Sequence, residues 1–155
     1  MTTVSVGDKA PDFELPTDGS GRGGLKELKG KPVVRYFYPK DMTPGCTKEA
    51  QQFRDLKPAF DKASAVLVGV SKDSVKRHDN FKTKYNLNFT LLSDADGSLC
   101  EDYGVWVKKK LYGREYMGIE RATFLIDAKG VIRRVWRKVK VKAHAEEELD
   151  AIYAL

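Results

Sequence analysis

The most constraining feature of this sequence is its alternation of short β-branched segments with longer segments of helical periodicity. Residues 33–38 are valines and aromatic residues around one arginine, a run typical of a strand, and residues 66–70 form a second short apolar run. Between them, residues 47–63 carry large apolar side chains at the spacing i, i+3 and i+7, on one face of a helix. A strand, a helix and a second strand in succession are typical of α/β domains.

The remainder of the chain continues this alternation. A helix is predicted after Asp73 or Ser74, which are good N-caps, and Asn86 is expected to end it. Further predicted elements are a surface turn at 18–24, a strand at 90–92, a short helix at 99–103, strands at 123–126 and 131–135 joined by a turn, and a closing helix within 143–155. This order predicts one α/β domain over residues 1–155, with a mixed sheet flanked by helices. A thioredoxin-like sandwich has this order, as do other α/β folds.

Composition excludes several classes of protein. Hydrophobic residues make up 41% and charged residues 32% of the 155 residues, a balance typical of soluble globular proteins. No apolar run reaches the ~18 residues that a transmembrane helix needs, so we expect no membrane association. Residues 1–9 lack the pattern of a secretory signal, which makes the cytoplasm the expected location. The 2 cysteines are too few for a disulfide framework.

The positive charge of the chain raises nucleic acid as a candidate partner. The excess of 28 Lys and Arg over 22 Asp and Glu gives a net charge of +6, and basic residues cluster at 108–110 and 133–142. The alternation of valine and lysine at 139–142, however, is typical of a strand with one buried and one solvated face. We favour a solvated face, and therefore do not expect nucleic acid binding.

The strongest candidate for chemistry is Cys46, which lies where the first strand passes into the first long helix. A sulfur in the first turn of a helix is surrounded by unpaired N–H groups and the positive end of the helix dipole, which favour a nucleophilic thiolate. Gly45 permits a close approach of the backbone, while Pro39 and Pro44 stiffen the loop. Thr43 is expected to turn its hydroxyl toward the sulfur or a substrate oxygen. The alternative is a buried structural cysteine.

The cysteines and histidines do not form a metal-binding pattern. Cys46, Cys100, His78 and His144 include none of the close ligand pairs of zinc motifs, so we expect no metal. His78 lies on the apolar face of its helix and is expected to be hydrogen-bonded and half-buried. His144 is expected to be a surface or capping residue at the start of the last helix.

The segment around Cys46 is similar to a known active-site signature. Pro39, Thr43 and Cys46 have the spacing P-x-x-x-T-x-x-C, which resembles the signature of peroxiredoxins. The fuller run 38–49 resembles the bacterioferritin-comigratory-protein branch of that family, also called the Q type. Arg121 stands at the family's arginine position. The resemblance covers nearly the whole chain and includes residues 6–13, 53–55, 92–94, 103–106 and 120–127.

The resemblance implies a thiol peroxidase of thioredoxin-like fold that reduces hydrogen peroxide or organic hydroperoxides without a metal or other cofactor. Cys46 would be the peroxidatic thiolate, which becomes sulfenic acid. Thr43 would hydrogen-bond the peroxide, Arg121 would stabilise the thiolate and the charge on the leaving oxygen, and Pro39 would shield the pocket from water. Glu49, one helical turn after Cys46, is interpreted either as a partner of Arg121 or as a solvated surface residue.

The chain departs from the family in its second cysteine. Many members of the branch carry a resolving cysteine five residues after the first, where this chain has Gln51, and others carry it on the following helix, which here contains none. Cys100 is interpreted as a buried structural thiol, with a resolving role as the alternative. We therefore expect a one-cysteine mechanism in a monomer or weak dimer, with thioredoxin, glutaredoxin or glutathione as external reductant. A thiol-disulfide oxidoreductase is a weaker hypothesis, because Glu49 replaces the second cysteine of a Cys-x-x-Cys pair.

Overall fold

Strands and helices alternate through the described part of the chain, which in the computed structural model comprises residues 4–11, 14–17, 22–24, 30–142 and 144–155. In chain order the elements are β1 (Glu14–Pro16), β2 (Arg22–Gly24), β3 (Val33–Phe37), α1 (Pro44–Lys62), β4 (Val66–Ser71), α2 (Val75–Tyr85), β5 (Thr90–Ser93), α3 (Ser98–Asp102), β6 (Trp106–Leu111), β7 (Arg114–Ile119), β8 (Ala122–Ile126), β9 (Ile132–Trp136) and α4 (His144–Tyr153). No helix within these ranges is long and apolar enough to span a bilayer.

A mixed five-stranded sheet with the order β5-β4-β3-β8-β9 forms the centre of the structure. Strands β3, β4 and β5 run parallel, because helical crossovers connect them, whereas β8 and β9 form an antiparallel hairpin that pairs with β3. The turn of this hairpin contains Gly130 at φ 84, a conformation that favours glycine. The predicted mixed sheet and its hairpin are therefore confirmed.

The two faces of the sheet carry separate hydrophobic cores. Alternate residues of β3 point to opposite faces, so that Val34 belongs to one core and Val33 to the other. Helices α1, α2 and α4 cover the first face with Phe53, Phe81 and Ile152 among the buried side chains. The second face is covered by the segment around α3 and by the aromatic rings of its own strands. All five residues of β3 are consequently buried.

The helix boundaries agree with their sequence signals. Helix α2 has Ser74 as its N-cap, with the Arg77 backbone N–H donating to the Ser74 hydroxyl at 3.2 Å, and it ends at Asn86 in the left-handed conformation. Helix α1 begins at Pro44, three residues earlier than predicted, because Thr43 acts as the N-cap and proline is favoured in the first turn. The earlier start places Cys46 within the first turn of α1.

Two sequence-based predictions are wrong in this structure, and one element was missed. Residues 22–24 pair with β1 and are not part of a turn, while the rest of the predicted turn lies outside the described residues. Residues 106–119 form a hairpin that the sequence did not indicate, because its turn uses Tyr112 at φ 50 before Gly113, without the usual Asn or Asp. Residues 139–142 are not a strand, since the sheet ends at Trp136 and Lys138 adopts φ 49.

Candidate active site

Cys46 lies at the carboxyl end of β3, the edge of a parallel sheet at which α/β proteins build their sites. It is the third residue of α1 and is only 2% exposed. Its sulfur accepts a hydrogen bond from Arg121 Nη2 at 3.3 Å. The sulfur therefore lies beside both the amino end of α1 and a guanidinium group, which together stabilise negative charge on it.

Arg121 is brought to this edge by the pairing of β3 with β8. The register places Phe37 opposite Ala122, so the residue immediately before β8 lies beside the loop that follows β3. The guanidinium Nη1 donates to Glu49 Oε1 at 2.5 Å, while Nη2 contacts the sulfur. Glu49 is 1% exposed, so its interpretation as a solvated surface residue is wrong. The structure thus connects Glu49, Arg121 and Cys46 through direct contacts.

Gly45 makes the contact between the guanidinium and the sulfur sterically feasible. A Cβ atom at this position would lie 3.3 Å from Arg121 Nη2. Any side chain would therefore displace the guanidinium or be displaced by it. The glycine serves close approach, as expected from the sequence.

Thr43 and Pro39 border the site from the loop. The Thr43 hydroxyl donates to the Lys40 carbonyl at 2.8 Å, so its single hydrogen does not point at the sulfur. Its lone pairs are left to accept a hydrogen bond from a substrate O–H group. Pro39 is half-buried and, like Lys40, lines a groove beside the loop. Both residues therefore border the approach to Cys46, and their catalytic roles remain predictions.

A buried hydrogen-bond network on the core side of the loop holds the segment that carries Thr43 in place. The sequence did not indicate this network. Asp41 accepts hydrogen bonds from the Tyr38 hydroxyl at 2.5 Å and from His78 Nδ1 at 2.6 Å. The second nitrogen of His78 bonds the Leu92 carbonyl at 2.9 Å. His78 is 0% exposed, so the prediction of a half-buried ring is wrong. The reason is that helix α2 packs this face against β5 and the loop.

The charge state of His78 follows from its partners. Burial alone lowers the pKa of His78, but the hydrogen bond and charge of Asp41, the Leu92 carbonyl and Asp73 raise it above its ordinary value. The structure therefore favours an imidazolium that donates from both nitrogens. Oxygen and nitrogen atoms of Asp41, Asp73 and His78 lie within 4.8 Å of one another, as in a cation site. Because an imidazolium cannot ligate a metal, we interpret this group as an ion pair.

We expect His78→Gln to loosen the loop and slow the oxidation of Cys46 by about tenfold, because small displacements of positioning groups reduce rates. The variant leaves Asp41 buried without its counter-charge, which costs about 3–5 kcal/mol of unfolding free energy. The folded pKa of His78 is raised, so its stabilisation is complete below pH 6.5 and is lost as the pH rises through the folded value.

The measurement is chemical denaturation of the wild type and His78→Gln across this pH range, with Lys76→Gln on the exposed face of α2 as the matched control. The difference in unfolding free energy should shrink at high pH. A constant difference, or an equal loss in Lys76→Gln, would contradict the ion pair. Adding Asp41→Asn to His78→Gln should recover part of the loss.

A second buried network lies behind Glu49. Glu148 of α4 accepts a hydrogen bond from the Thr123 hydroxyl at 3.1 Å and contacts His144 Nε2. His144 is buried, so the prediction of a surface or capping residue is wrong; its ring packs edge-on against Trp136. Burial raises the pKa of Glu148 and lowers the pKa of His144. These directions favour an uncharged pair that shares a proton.

Burial raises the pKa of Glu49 to about 7, although the charge of Arg121 opposes this shift and the neighbouring Glu148 adds to it. A folded pKa above the unfolded value means that the native state binds the proton more tightly. The contribution of Glu49 to the free energy of unfolding is therefore fully present below about pH 4.5 and is lost as the pH rises through 7. We expect the Glu49 carboxyl to titrate near neutrality in ¹³C NMR, with its resonance identified by its loss in Glu49→Gln. A midpoint near 4.5 would contradict the effect of burial.

Cys100 lies apart from this site. It is 0% exposed and belongs to the core on the second face of the sheet, whereas Cys46 belongs to the core on the first. Its backbone N–H donates to Asp94 Oδ2 at 2.8 Å. Burial and the neighbouring Asp94 raise the pKa of the Cys100 thiol far above its ordinary value. The structure therefore supports the interpretation of Cys100 as a structural thiol.

The arginines around β9 contact carboxylates of this chain, whereas Lys138, Lys140 and Lys142 are exposed. Arg137 donates to Glu120 at 3.1 Å, and Trp136 Nε1 donates to Glu147 at 3.2 Å. Arg134 contacts the same Glu147 at 3.4 Å. The indole and these two arginines are therefore engaged by carboxylates of the chain itself. The strand with one solvated face expected at 139–142 is absent, because the sheet ends at Trp136.

Comparison with known proteins places the chain among thiol peroxidases. A family model described as AhpC/TSA matches residues 6–135. The putative peroxiredoxin Bcp of Coxiella burnetii is 59% identical over 145 residues, covering 94% of this chain and 96% of that protein. The peroxiredoxin Bcp of Bacillus subtilis is 53% identical over 150 residues, covering 97% and 96%.

A solved structure agrees with these relatives. The bacterioferritin comigratory protein of Xanthomonas campestris, described for its alkyl peroxide reduction activity, superimposes with a TM-score of 0.88 at 46% identity. The match covers 92% of this chain and 90% of that chain. The similarity therefore extends over the sheet, the helices and the loop that carries Cys46.

Proposed function

The chain belongs to the AhpC/TSA family, in its Bcp or Q-type peroxiredoxin branch, and from this we propose that Cys46 is the residue with which it reduces hydroperoxides. The protein is a thiol-dependent peroxidase with the thioredoxin-like fold of that family. The observation that carries the assignment of Cys46 is the 3.3 Å contact between its sulfur and Arg121 Nη2 in the first turn of α1. The other cysteine, Cys100, has no hydrogen bond from a cationic side chain among the described residues.

The geometry supports a direct displacement at oxygen. The Cys46 thiolate attacks the terminal oxygen of the hydroperoxide, an S–O bond forms and the O–O bond breaks. The electron pair of the broken bond leaves with the other oxygen, which is bonded to the organic group or to the second hydrogen. This oxygen takes up a proton and departs as alcohol or water. Arg121 and the N–H groups at the start of α1 stabilise the negative charge as it moves from sulfur to oxygen.

Thr43 and Glu49 assist this step, Thr43 by contacting the hydroperoxide and Glu49 by contacting Arg121. Thr43 accepts the hydrogen bond of the hydroperoxide O–H group, because its own hydrogen is committed to the Lys40 carbonyl. Glu49 is a positioning residue, since it fixes one nitrogen of Arg121 while the other contacts the sulfur. Pro39 limits the access of water to the pocket. These roles match those implied by the family resemblance.

The sulfenic acid is returned to the thiol by an external reductant. A thiol attacks the Cys46 sulfur, water leaves and a mixed disulfide forms, which a second thiol then resolves. Support comes from Cys100, which is buried on the opposite face of the sheet, so that pairing with Cys46 would require local unfolding. Thioredoxin, glutaredoxin and glutathione are the candidate reductants, and the protein acts as a monomer or weak dimer in the cytoplasm.

We expect Cys46 to gain one oxygen atom when the reduced protein receives one equivalent of hydrogen peroxide and is denatured without reductant. Intact mass and peptide mapping of the wild type, Cys46→Ser and Cys100→Ser test this. The pattern should be the same in Cys100→Ser, because that thiol takes no part. Loss of two hydrogens that Cys100→Ser abolishes would establish Cys100 as a resolving residue. Absence of oxidation at Cys46 would contradict the proposed function itself.

A further inference from the structure

A groove of about 410 Å³ lies beside the loop of Cys46. Pro39 and Lys40 line it from the loop after β3, Lys72 and Asp73 line it from the loop after β4, and the β6–β7 hairpin forms the opposite wall. The carboxyl ends of two parallel strands thus meet at this groove, the usual position of a ligand site in α/β proteins. Its volume is within the range of small-molecule sites, about 300–1,000 Å³. We refer to it as the lysine groove.

The lysine groove carries an excess of positive charge. Lys40, Lys72 and Lys109 line it, and none of the three has a carboxylate partner among the residues that the structure describes. The Lys72 ammonium lies 4.0 Å from the centre of the Trp106 ring, which holds it over the groove wall. Three lysines that form no ion pair with a described carboxylate, on a partly enclosed surface, attract an anionic ligand.

The one carboxylate that lines the groove does not neutralise these lysines. Asp73 Oδ1 accepts from Arg77 Nε at 2.9 Å. Its Oδ2 accepts from the Asp41 backbone N–H at 2.8 Å and from the Ser71 hydroxyl at 2.6 Å. Both oxygens are therefore committed to the network beneath the loop, and the positive charge of the groove remains.

The hairpin supplies an apolar wall beside these cations. Trp106, Tyr116 and Met117 line the groove, and the last two expose 47% and 45% of their surfaces. Burial and the charge of Arg121 lower the pKa of Lys109, while the charges of Cys46 and Glu120 raise it. The ammonium of Lys109 is therefore within electrostatic reach of the reacting sulfur. A ligand in the groove would combine anionic groups with a less polar body close to Cys46.

The proposed mechanism requires an external thiol, and a ligand of this chemistry can supply one. The sulfenic acid of Cys46 has no resolving thiol on its own face of the sheet, so the reducing sulfur must come from outside. Resting on that proposed function, we propose that the lysine groove binds a carboxylate-bearing thiol of about tripeptide size and presents its sulfur to oxidised Cys46. The bound thiol attacks the Cys46 sulfur, the S–O bond breaks, and the thiol proton leaves with the hydroxyl group as water. A second thiol releases the mixed disulfide and restores the Cys46 thiol.

The test separates oxidation from reduction. The protein is first oxidised with one equivalent of hydrogen peroxide, which is uncharged, and is then mixed with glutathione or with the diethyl ester of glutathione. The test variant is the double variant Lys72→Gln/Lys109→Gln. The matched control is Lys108→Gln, because Lys108 lies on β6 beside Lys109 but pairs with Glu115 at 3.0 Å. The rate of loss of sulfenic acid is measured at low and high salt.

We expect the double variant to be reduced by glutathione about tenfold more slowly than the wild type, with the difference shrinking at high salt. Its reduction by the diester should be unchanged, as should the reduction of Lys108→Gln by either thiol. Because the protein is oxidised before mixing, the rate of oxidation does not enter this comparison. If the double variant is reduced more slowly by the same factor with glutathione and with the diester, the proposal is overturned, because the groove would then not distinguish charged from uncharged ligands. Slower oxidation by a carboxylate-bearing hydroperoxide with unchanged reduction by glutathione would assign the groove to the oxidant instead.

Binding of an unreactive glutathione analogue to the lysine groove can be measured without any reaction at Cys46. S-methylglutathione, which cannot react, is titrated into reduced wild-type protein and into the double variant by calorimetry. Weaker binding to the double variant is expected. Equal binding, or none to either protein, would overturn the groove assignment even if Cys46 oxidises normally. Failure of Cys46 to oxidise, with S-methylglutathione still bound by the wild type, would contradict the proposed function and not the groove.

Discussion

Replacement of Cys46 by serine is expected to lower peroxide turnover by at least about 10⁴-fold, because the hydroxyl is not ionised and removal of a nucleophile disables the chemical step. Serine is close to cysteine in size, and Arg121 Nη2 lies where it can donate to the new oxygen as it donates to the sulfur. The variant should therefore retain its fold, with a change in unfolding free energy of no more than about 1–2 kcal/mol.

The measurement is peroxide consumption with dithiothreitol as reductant, together with circular dichroism and thermal unfolding. Cys100→Ser is the matched control, since it removes the other buried thiol. It should retain turnover because Cys100 lies on the opposite face of the sheet. Turnover by Cys46→Ser at more than a few per cent of the wild-type rate would reject Cys46 as the nucleophile.

The second large effect is expected at Arg121. Arg121→Ala removes the donor on the Cys46 sulfur and should slow the oxidation of Cys46 by about 10²–10³-fold, as does the loss of other charge-stabilising donors. It also leaves Glu49 buried without its partner, which costs about 3–5 kcal/mol of stability before the carboxyl takes up a proton. The oxidation rate of Arg121→Lys should lie between those of the wild type and Arg121→Ala, because an ammonium cannot contact both Glu49 and the sulfur in the same fork geometry.

A double variant separates the catalytic effect from the structural one. Adding Glu49→Gln to Arg121→Ala removes the uncompensated carboxylate and should restore part of the unfolding free energy, but not the rate of oxidation. Arg134→Ala, at a half-exposed position on β9, is the control and should leave both quantities unchanged. Recovery of the oxidation rate in the double variant would show that Arg121 is structural and would remove it from the reaction.

The positions of the main elements were readable because local signals and long-range packing agree there. The apolar run of β3 is buried on both faces, and the caps at Ser74 and Asn86 bound α2 as predicted. The motif that contains Cys46 lies at the strand-to-helix junction, which the periodicity alone indicated. Consistency between local preference and the final fold is what makes such segments predictable.

The missed features depend on tertiary context. The β6–β7 hairpin has exposed lysines and a turn through Tyr112, so neither alternation nor turn residues indicated it. Glu148 and His144 carry polar side chains, and His144 was expected at the surface or in a cap, yet α4 buries both against the sheet. Their burial is supported by bonds to each other and to Thr123, which no local pattern encodes.

Two sets of buried contacts hold the site in place, one beneath the loop after β3 and one at Arg121. Asp41 and His78 fix the loop that contains Thr43, and Glu49 fixes the guanidinium that contacts the sulfur. Each uses charged or hydrogen-bonded groups with little exposure, which is costly unless the partners are paired. Residues of α1 and α2, together with Arg121 immediately before β8, therefore hold the signature segment in place.

The most direct test of the account is the second-order rate constant for oxidation of Cys46 by hydrogen peroxide, measured by stopped-flow with the fully reduced protein. The contacts of the sulfur with Arg121 and the start of α1 predict a rate at least about 10²-fold above that of free cysteine at the same pH. The rate should be the same in Cys100→Ser and should disappear in Cys46→Ser. A rate for Cys46 no greater than that of free cysteine would contradict the assignment of this site as a peroxidase centre.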